Sequence, residues 1–597
     1  MTDIGKIRNN GGKTLTIGSY PTIIQSILDF DFLSGKSKPS VIGIIATGRK
    51  FERYFFGTKE VLVPVFHSVD DLNSEDKKQV SFFLNLTSAR RILSSTTEIF
   101  EKIPNILGGV IFAENVPEKH SIQLYELSQK LNKFIVGPSS VGLVMPSFLK
   151  LGAIGGIDIS QLIDLNLFTK GNIAIFSSSG GIIGELIRII AKTGKNISFA
   201  LSFGGDRFPI LTPKDAFILA QEDSQTESIV YFGELGGNDE YEIADLIKAK
   251  LVTKKVICFI AGNISEIFET PPQFGHAKAL AKQTNETAKE KKLILKKAGA
   301  QVADNFTEFV ELINSIPVSK VKKQQNYSKI PLDMENRKHA LISTSISKDE
   351  NGEVKILGED LLEFAKNNPF SYIVGSLFLG KKVKSREFPD FVDFVLRLLV
   401  DHGPYVSGAV NTIVASRAGK DLVSSLSAGL LTIGPRFGGA INQAAQNWLT
   451  GMVENKNAAD FVEDFAKQKI YIAGIGHRKY RLDMPDSRVV EILKFSEKLK
   501  THKFTDFAKQ VEKITTGKKA NLILNIDGAI AAVLLDILSE KEGYSENDLQ
   551  ELINAEFFNA LFVLSRSVGF IAHFLDQKRL DEGLFRLEED MVASVEK

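Results

Sequence analysis

Up to about residue 315 the chain alternates short apolar runs with amphipathic stretches of helical spacing. The runs VIGIIA (41–46), VLVPVF (61–66), GVIFAE (109–114), FIVGP (134–138), NIAIFSSSG (172–180), IVYFGELGG (229–237) and KVICFIAG (255–262) are rich in Val, Ile and Phe. Several end in Gly, Ser or Pro. Buried parallel strands read this way, with functional loops opening at their C-terminal ends. The pattern predicts two consecutive doubly wound α/β domains that divide in GPSSVGLVMP, placed at 1–138 and 139–317.

From Val318 to Arg337 the chain turns polar and basic, as a linker does. Beyond it the period changes. FPDFVDFVLRLLVDHG (388–403), KDLVSSLSAGLLTI (420–433), RVVEILKFSEKLK (488–500) and the long run from Asp548 to Leu580 carry apolar residues at helical spacing. An all-helical third domain over 338–597 is predicted. No internal repeat or low-complexity tract interrupts this order.

Length and composition narrow the picture. A chain of 597 residues implies roughly three to five domains. A formal net charge of +1 gives no reason to expect nucleic acid or an acidic membrane as partner. The single cysteine, Cys258, cannot close an intrachain disulfide, and no Cys/His cluster has zinc spacing, so no metal is expected. No signal-length apolar core opens the chain and no run reads as a membrane span, so the expected location is the cytoplasm.

Two Gly-rich elements suit phosphate chemistry. SSSGG (177–181) leads toward the helical pattern GIIGELIRIIAKTG, and FGHAKALAKQTNETA sets His276 beside Gly275 at what reads as the start of a second helix. Helix N-termini offer unpaired N–H groups and a positive dipole end to anions. The expected donors are the N–H groups of Ser178, Ser179, Gly180 and Gly181, together with those of the helix entered at His276. A neutral imidazole there can attack a phosphoryl group if a carboxylate fixes its tautomer. Glu114 in IFAENVPE and Glu234 in FGELGG, both at predicted strand ends, are the candidates.

IFAENVPE, GPSSVG, SSSGG, FGELGGNDEYE and FGHAKALA occur in the order found in the succinyl-CoA synthetase α-subunit and related acyl-CoA synthetases, which this half resembles. The resemblance implies that His276 is phosphorylated, with Glu114 and Glu234 as orienting acids, and that the first domain is Rossmann-like and the second flavodoxin-like. It implies CoA binding at Thr47 and Gly48 in IIATGRK and at Ser88, Arg90 and Arg91 in NLTSARR, loops that follow predicted strands. One departure stands out: Lys278 replaces the usual glycine of the GHAGA pattern.

In the helical third, VDHGPYVSGAVNT, AGIGHRKYRLDMPDSR and LILNIDGAIAA set His402, His477 and Asp527 among glycines and apolar residues. A carboxylate in an apolar run is costly unless capped, paired or catalytic. Two histidines and one carboxylate suit enolate chemistry beside a thioester carbonyl. This set resembles citrate synthase. By that resemblance His402 polarises the acetyl thioester, His477 acts on the hydroxyl proton, Asp527 serves the acetyl carbon, and Arg488, Arg566 and Arg586 hold citrate carboxylates.

A synthetase-like half followed by a citrate-synthase-like half resembles the ATP-citrate lyase family from about Thr14 to Arg586, and specifically the large subunit of its two-subunit form. The segments LDFDF, FGGDRFP, GKDLVSSLSAGLLTIGPRFGGA, VEKITTGKKANLILNIDG and RSVGFIAHFLDQKRL carry the match. No GxxxxGK[ST] loop occurs. The resemblance therefore implies a smaller β subunit with an ATP-grasp domain that supplies ATP and Mg2+, a tetramer through the helical domain, and an α4β4 assembly. Rival readings are a citryl-CoA synthetase subunit, a citrate synthase with an inert ligase half, and a non-catalytic CoA-sensing scaffold. The direction of flux, acetyl-CoA supply or carbon fixation, is not written in these residues.

Overall fold

The computed structural model describes residues 4–8, 12–263, 273, 275–281, 283–318, 332–434 and 437–595. The chain forms two compact units, Met1–Leu341 and Ile342–Lys597.

The first unit contains two seven-stranded sheets. In the first, β1 (Thr14–Ile17), β2 (Val41–Ile45), β3 (Phe51–Phe56), β4 (Lys59–Phe66), β5 (Phe82–Asn85), β6 (Gly108–Ile111) and β7 (Phe134–Val136) lie in the order β3-β4-β2-β1-β5-β6-β7. All pairings are parallel except the edge hairpin β3–β4. β1, β5, β6 and β7 are buried along their length, and β6 and β7 carry no polar side chain, as strands covered on both faces read.

The chain leaves this sheet at Val136 and enters the second at Gly142. There β8 (Gly142–Met145), β9 (Leu149–Gly152), β10 (Ile173–Ser177), β11 (Ile197–Ser202), β12 (Ser228–Glu234), β13 (Lys255–Ala261) and β14 (Gln301–Ala303) run in the order β14-β13-β12-β10-β11-β8-β9. The five strands β10 to β14 are parallel and flavodoxin-like in order; β8 and β9 add an antiparallel edge. SSSGG turns from β10 into the helix Gly180–Lys192, as its sequence implies. Of the linker expected at 318–337, residues 319–331 lie outside the described residues. Arg337 is part of the first unit, held by two hydrogen bonds to Asp29 at 2.7 and 2.9 Å.

The second unit opens with a three-stranded antiparallel sheet, β15 (Ser347–Glu350), β16 (Glu353–Ile356) and β17 (Glu359–Asp360), which the helical periodicity did not anticipate. Helices follow. The helix Ile526–Glu540 is buried at every residue from Gly528 to Leu538 and packs against Ala440–Val453, Ser487–Ser496 and Lys503–Lys518. A helix apolar all round must be enclosed in this way. The acid within that buried stretch, Asp536, accepts from the Phe504 and Thr505 N–H groups at 2.9 Å each and so caps the neighbouring helix.

The helix Phe557–Arg579 corrects one expectation, because it is long and apolar enough to cross a membrane by length and composition. Its residues Phe558, Leu561, Phe562 and Phe570 are instead packed in the core of this unit, and it carries the buried Arg566.

Candidate functional site

In the first unit, β10 and β12 are neighbours with Ser177 opposite Phe232, so SSSGG and Glu234 leave the same edge of the sheet. Ser179 caps the helix that starts at Gly180, accepting from Ile182 N–H at 3.5 Å, and Ser177 Oγ accepts from Ser179 N–H at 3.1 Å. The first N–H groups of a helix, here those of Gly180 and Gly181, have no intrahelical acceptor and suit phosphate. Ser178 sits in the same turn, its carbonyl accepting from Ser202 Oγ at 3.4 Å.

His276 is carried on a turn, not at a helix start; the next α-helix begins at Ala288. The expected N–H donors of a helix at His276 are therefore lacking. The turn is pinned by Ala277 N–H to the Gly205 carbonyl, 3.1 Å, and the imidazole lies against Gly205, where a Cβ would come within 2.7 Å of the ring. His276 Nδ1 is 2.8 Å from Glu234 Oε2. A carboxylate accepts only, so Nδ1 carries the proton and Nε2 keeps its lone pair free. The hydrogen bond to Glu234 raises the His276 pKa above its ordinary value.

Of the two candidate acids, the geometry selects Glu234. Glu114 is exposed in the loop after β6, and among the described residues it makes no hydrogen bond to the ring. Its charge acts on Asp206, whose pKa is raised chiefly by burial and then lowered by the Val116 and Asn115 N–H groups before Glu114 raises it again. Lys278 is ion-paired to Asp239, at the start of the helix Asp239–Lys248, and does not offer a free cation to a phosphate.

Thr47 and Gly48 follow β2 and Ser88, Arg90 and Arg91 follow β5, the two strands flanking β1. Thr47, Gly48, Ser88, Arg90 and Arg91 are all exposed at the carboxyl edge of the sheet, where doubly wound folds hold nucleotides. Donors of this kind, hydroxyls and guanidinium groups on open loops, fit the phosphates of CoA.

In the second unit three loops converge. Gly474 and Gly528 meet backbone to backbone, a Cβ on Gly528 falling 2.4 Å from the Gly474 carbonyl. Asn525 N–H donates to the Gly474 carbonyl at 3.0 Å and Gly476 N–H to the Ile523 carbonyl at 2.7 Å. This lacing carries His477 to the start of the helix that bears Asp527. Asn525, not Asp527, caps that helix. Asp527 is free for chemistry, and burial pushes its pKa up to about 6 against the opposing charges of Arg488 and Arg566.

The tautomers of both histidines are set by their neighbours. His477 Nδ1 accepts from the Lys479 and Tyr480 N–H groups, both at 3.0 Å, and its ring stacks on Tyr480 at 4.6 Å. His402 Nδ1 faces a guanidinium N–H of Arg488 at 3.3 Å. Each neutral ring therefore carries its proton on Nε2 and presents a donor. The expectation that His477 takes up the hydroxyl proton is corrected: its only basic nitrogen is already occupied. The pKa of both rings is lowered, by burial first, with Arg488 and Arg566 adding to the effect on His402.

Arg488 is held by Asp486, through Nε at 3.0 Å and Nη2 at 2.7 Å, which leaves Nη1 toward His402. Asp486 was not singled out by the sequence, although DSR at a helix start is a capping signature. Arg566 is 4% exposed, lies over the Phe562 ring, and has Nε and Nη1 buried with no hydrogen-bond partner among the described residues. An uncompensated buried guanidinium costs several kcal/mol; an anion relieves it. Asp401 and Asp527 act on Arg566 electrostatically, and Asp401 also accepts from His573 at 3.2 Å. Arg586 is not brought to this cluster. It is exposed in the terminal segment, next to Phe585, which packs on Arg417.

The sequence matches the family described as CoA-ligase over residues 176–301 and the citrate synthase C-terminal domain family over residues 239–588. It is 36% identical to ATP-citrate synthase subunit 1 of Sordaria macrospora, over 97% of this chain and 88% of that one. The chain belongs to the ATP-citrate synthase subunit 1 family. ATP-citrate synthase beta chain protein 1 of Arabidopsis thaliana is 37% identical over 94% of this chain and 95% of its own. The structure of ATP citrate lyase from Methanothrix soehngenii, in complex with citrate and coenzyme A, is 33% identical and covers 98% of both chains with a TM-score of 0.53. The subunit 1 designation of this family implies a partner subunit.

Proposed function

We propose that this chain is the large subunit of a two-subunit ATP-citrate lyase, converting citrate and CoA to oxaloacetate and acetyl-CoA at the expense of ATP. The observation that carries the reading is the pair of sites in one chain. One is an imidazole tied at Nδ1 and open at Nε2; the other is a cluster of two arginines, two donor histidines and Asp527 with an unsatisfied buried guanidinium.

In this reading His276 Nε2 attacks the γ-phosphorus of ATP, the bond to ADP breaks, and Glu234 stabilises the ring as it becomes cationic. The phosphoryl group passes to a citrate carboxylate at the Ser178–Gly181 turn, and thiolate attack releases phosphate and forms citryl-CoA. ATP and Mg2+ are held by the partner, a smaller β subunit with an ATP-grasp domain. The loops at Thr47–Gly48 and Ser88–Arg91 bind the CoA phosphates.

In the helical unit Arg488 and Arg566 hold the oxaloacetate carboxylates. His477 donates to the hydroxyl oxygen and His402 to the thioester oxygen as the carbon–carbon bond breaks. The hydroxyl proton passes to solvent water as the bond breaks; Asp527 gives its proton to the acetyl carbon and regains one from solvent. In this reading the exposed Arg586 serves a site in another copy, the helical units assemble into a tetramer within an α4β4 enzyme, and the enzyme works in the cytoplasm. The exposed Tyr405, Val423 and Leu431 offer apolar area for it.

The test is citryl-CoA cleavage by the purified chain, read by coupled oxaloacetate reduction, followed by ATP-dependent citrate cleavage with the partner. Cleavage without ATP supports the lyase assignment. A folded tetramer that cleaves nothing, alone or with its partner, excludes it and favours a synthetase subunit.

A further inference from the structure

Directly beneath Glu234, outside the groups so far given a role, lies a buried ion pair. Lys291, on the helix Ala288–Ala298, is 1% exposed and pairs with Glu240 Oε2 at 2.5 Å. Glu240 is itself buried and accepts from the Tyr231 hydroxyl at 2.9 Å. The same ammonium donates to the Glu234 carbonyl at 2.9 Å and to the Gly236 carbonyl at 2.5 Å. One buried cation thus spans the end of β12 on both sides of Leu235.

Gly236 is the joint between that strand end and the turn that carries His276. Its N–H donates to the Glu286 carbonyl at 2.8 Å, and a Cβ there would fall 2.1 Å from the Lys278 carbonyl. Its φ of +89° is a left-handed conformation that glycine alone adopts without strain. The backbone fixed by Lys291 therefore packs on the backbone two residues from the histidine.

We propose that Lys291, with Glu240 and Tyr231 as its anchor, is a positioning residue for the phosphorylatable histidine. It clamps the Glu234–Gly236 backbone so that the Glu234 carboxylate stays on His276 Nδ1 and Nε2 stays open. A buried ammonium satisfied by two carbonyls and a carboxylate is the strongest fixed point available at a strand end, where ladder hydrogen bonds run out. Glycine at 236 is what lets both contacts exist together. The inference rests on the phosphohistidine reading of His276.

The test uses the chain with its partner subunit and γ-labelled ATP. K291M removes the clamp and leaves Glu240 buried and unpaired; K291M/E240Q removes the clamp while restoring charge balance. Both variants are expected to lose at least about tenfold in the rate of histidine labelling and to keep wild-type citryl-CoA cleavage, which reports that the chain is folded. The acid limb of the labelling rate is expected to move to lower pH in both, because Glu234 is the charge that acts on the imidazole and its hold is weakened; Lys278 nearby is already neutralised by Asp239. Wild-type labelling with an unmoved limb in K291M overturns the proposal. So does recovery of both in the double variant, which would make Lys291 a counter-ion only. Absence of label on wild-type His276 defeats the phosphohistidine reading instead and is distinguishable from either result.

Discussion

The two sites treat histidine in opposite ways. At the first, the imidazole on its turn is bound to a carboxylate through Nδ1–H, its pKa is raised, and Nε2 keeps its lone pair. At the second, both imidazoles meet donors at Nδ1 and their pKa values are lowered, by burial first, so each neutral ring carries its proton on Nε2. A carboxylate behind the ring makes a nucleophile; N–H groups behind the ring make a neutral hydrogen-bond donor. Residue type decides neither role. The group behind the far nitrogen does.

Substitutions at the two reacting groups should separate the sites most sharply. H276A is expected to reduce ATP-dependent citrate cleavage to background and leave citryl-CoA cleavage intact. D527N should do the reverse, lowering citryl-CoA cleavage by about 10²–10⁴-fold, the usual worth of a positioned proton donor, with labelling of His276 unchanged. If each variant abolishes both half-reactions in folded protein, the division of labour fails. The same comparison has a pH form: Asp527 must be protonated to deliver its proton, so cleavage by the wild type should decline as pH rises through about 6, whereas His276 must be neutral, so labelling should decline as pH falls through its raised pKa.

R566M removes the buried unpaired cation and should raise KM for citryl-CoA by about 10²-fold, the value of two charge-assisted hydrogen bonds. Unchanged KM would mean that Arg566 has no anion to bind. E234Q keeps an acceptor for Nδ1–H and removes the charge, so labelling should slow roughly tenfold with its acid limb shifted to lower pH; an unshifted limb would assign Glu234 a packing role. K278A should change labelling by less than about threefold, because Lys278 is spent on Asp239 near the surface and such pairs contribute little.

The sequence was legible where the physics is local. Parallel strands buried on both faces produce unbroken apolar runs, and every run named from the pattern overlaps a strand of the two sheets. β1, with Thr14 and Thr16 buried in TLTI, and the edge strand FERYFF were less visible because polar residues interrupt them. His276 read as a helix start because AKALAK has helical spacing, yet the turn is held instead by Gly205 and Gly236, which come from distant strand ends.

The order of motifs, the strand and helix periods, and the choice of His276, His402, His477 and Asp527 as candidate reacting groups were all present in the chain itself. They depend on composition within a few residues, where side-chain chemistry and backbone period act directly. Only the tertiary structure decided that Glu234 rather than Glu114 backs His276 across 42 residues, that His477 is a donor, that Arg566 lies buried without a partner while Arg586 stays outside, and that Lys291 reaches two carbonyls of a strand end. Those outcomes are set by which backbone and side-chain atoms folding brings within 3 Å or so of one another, and no local period encodes that distance.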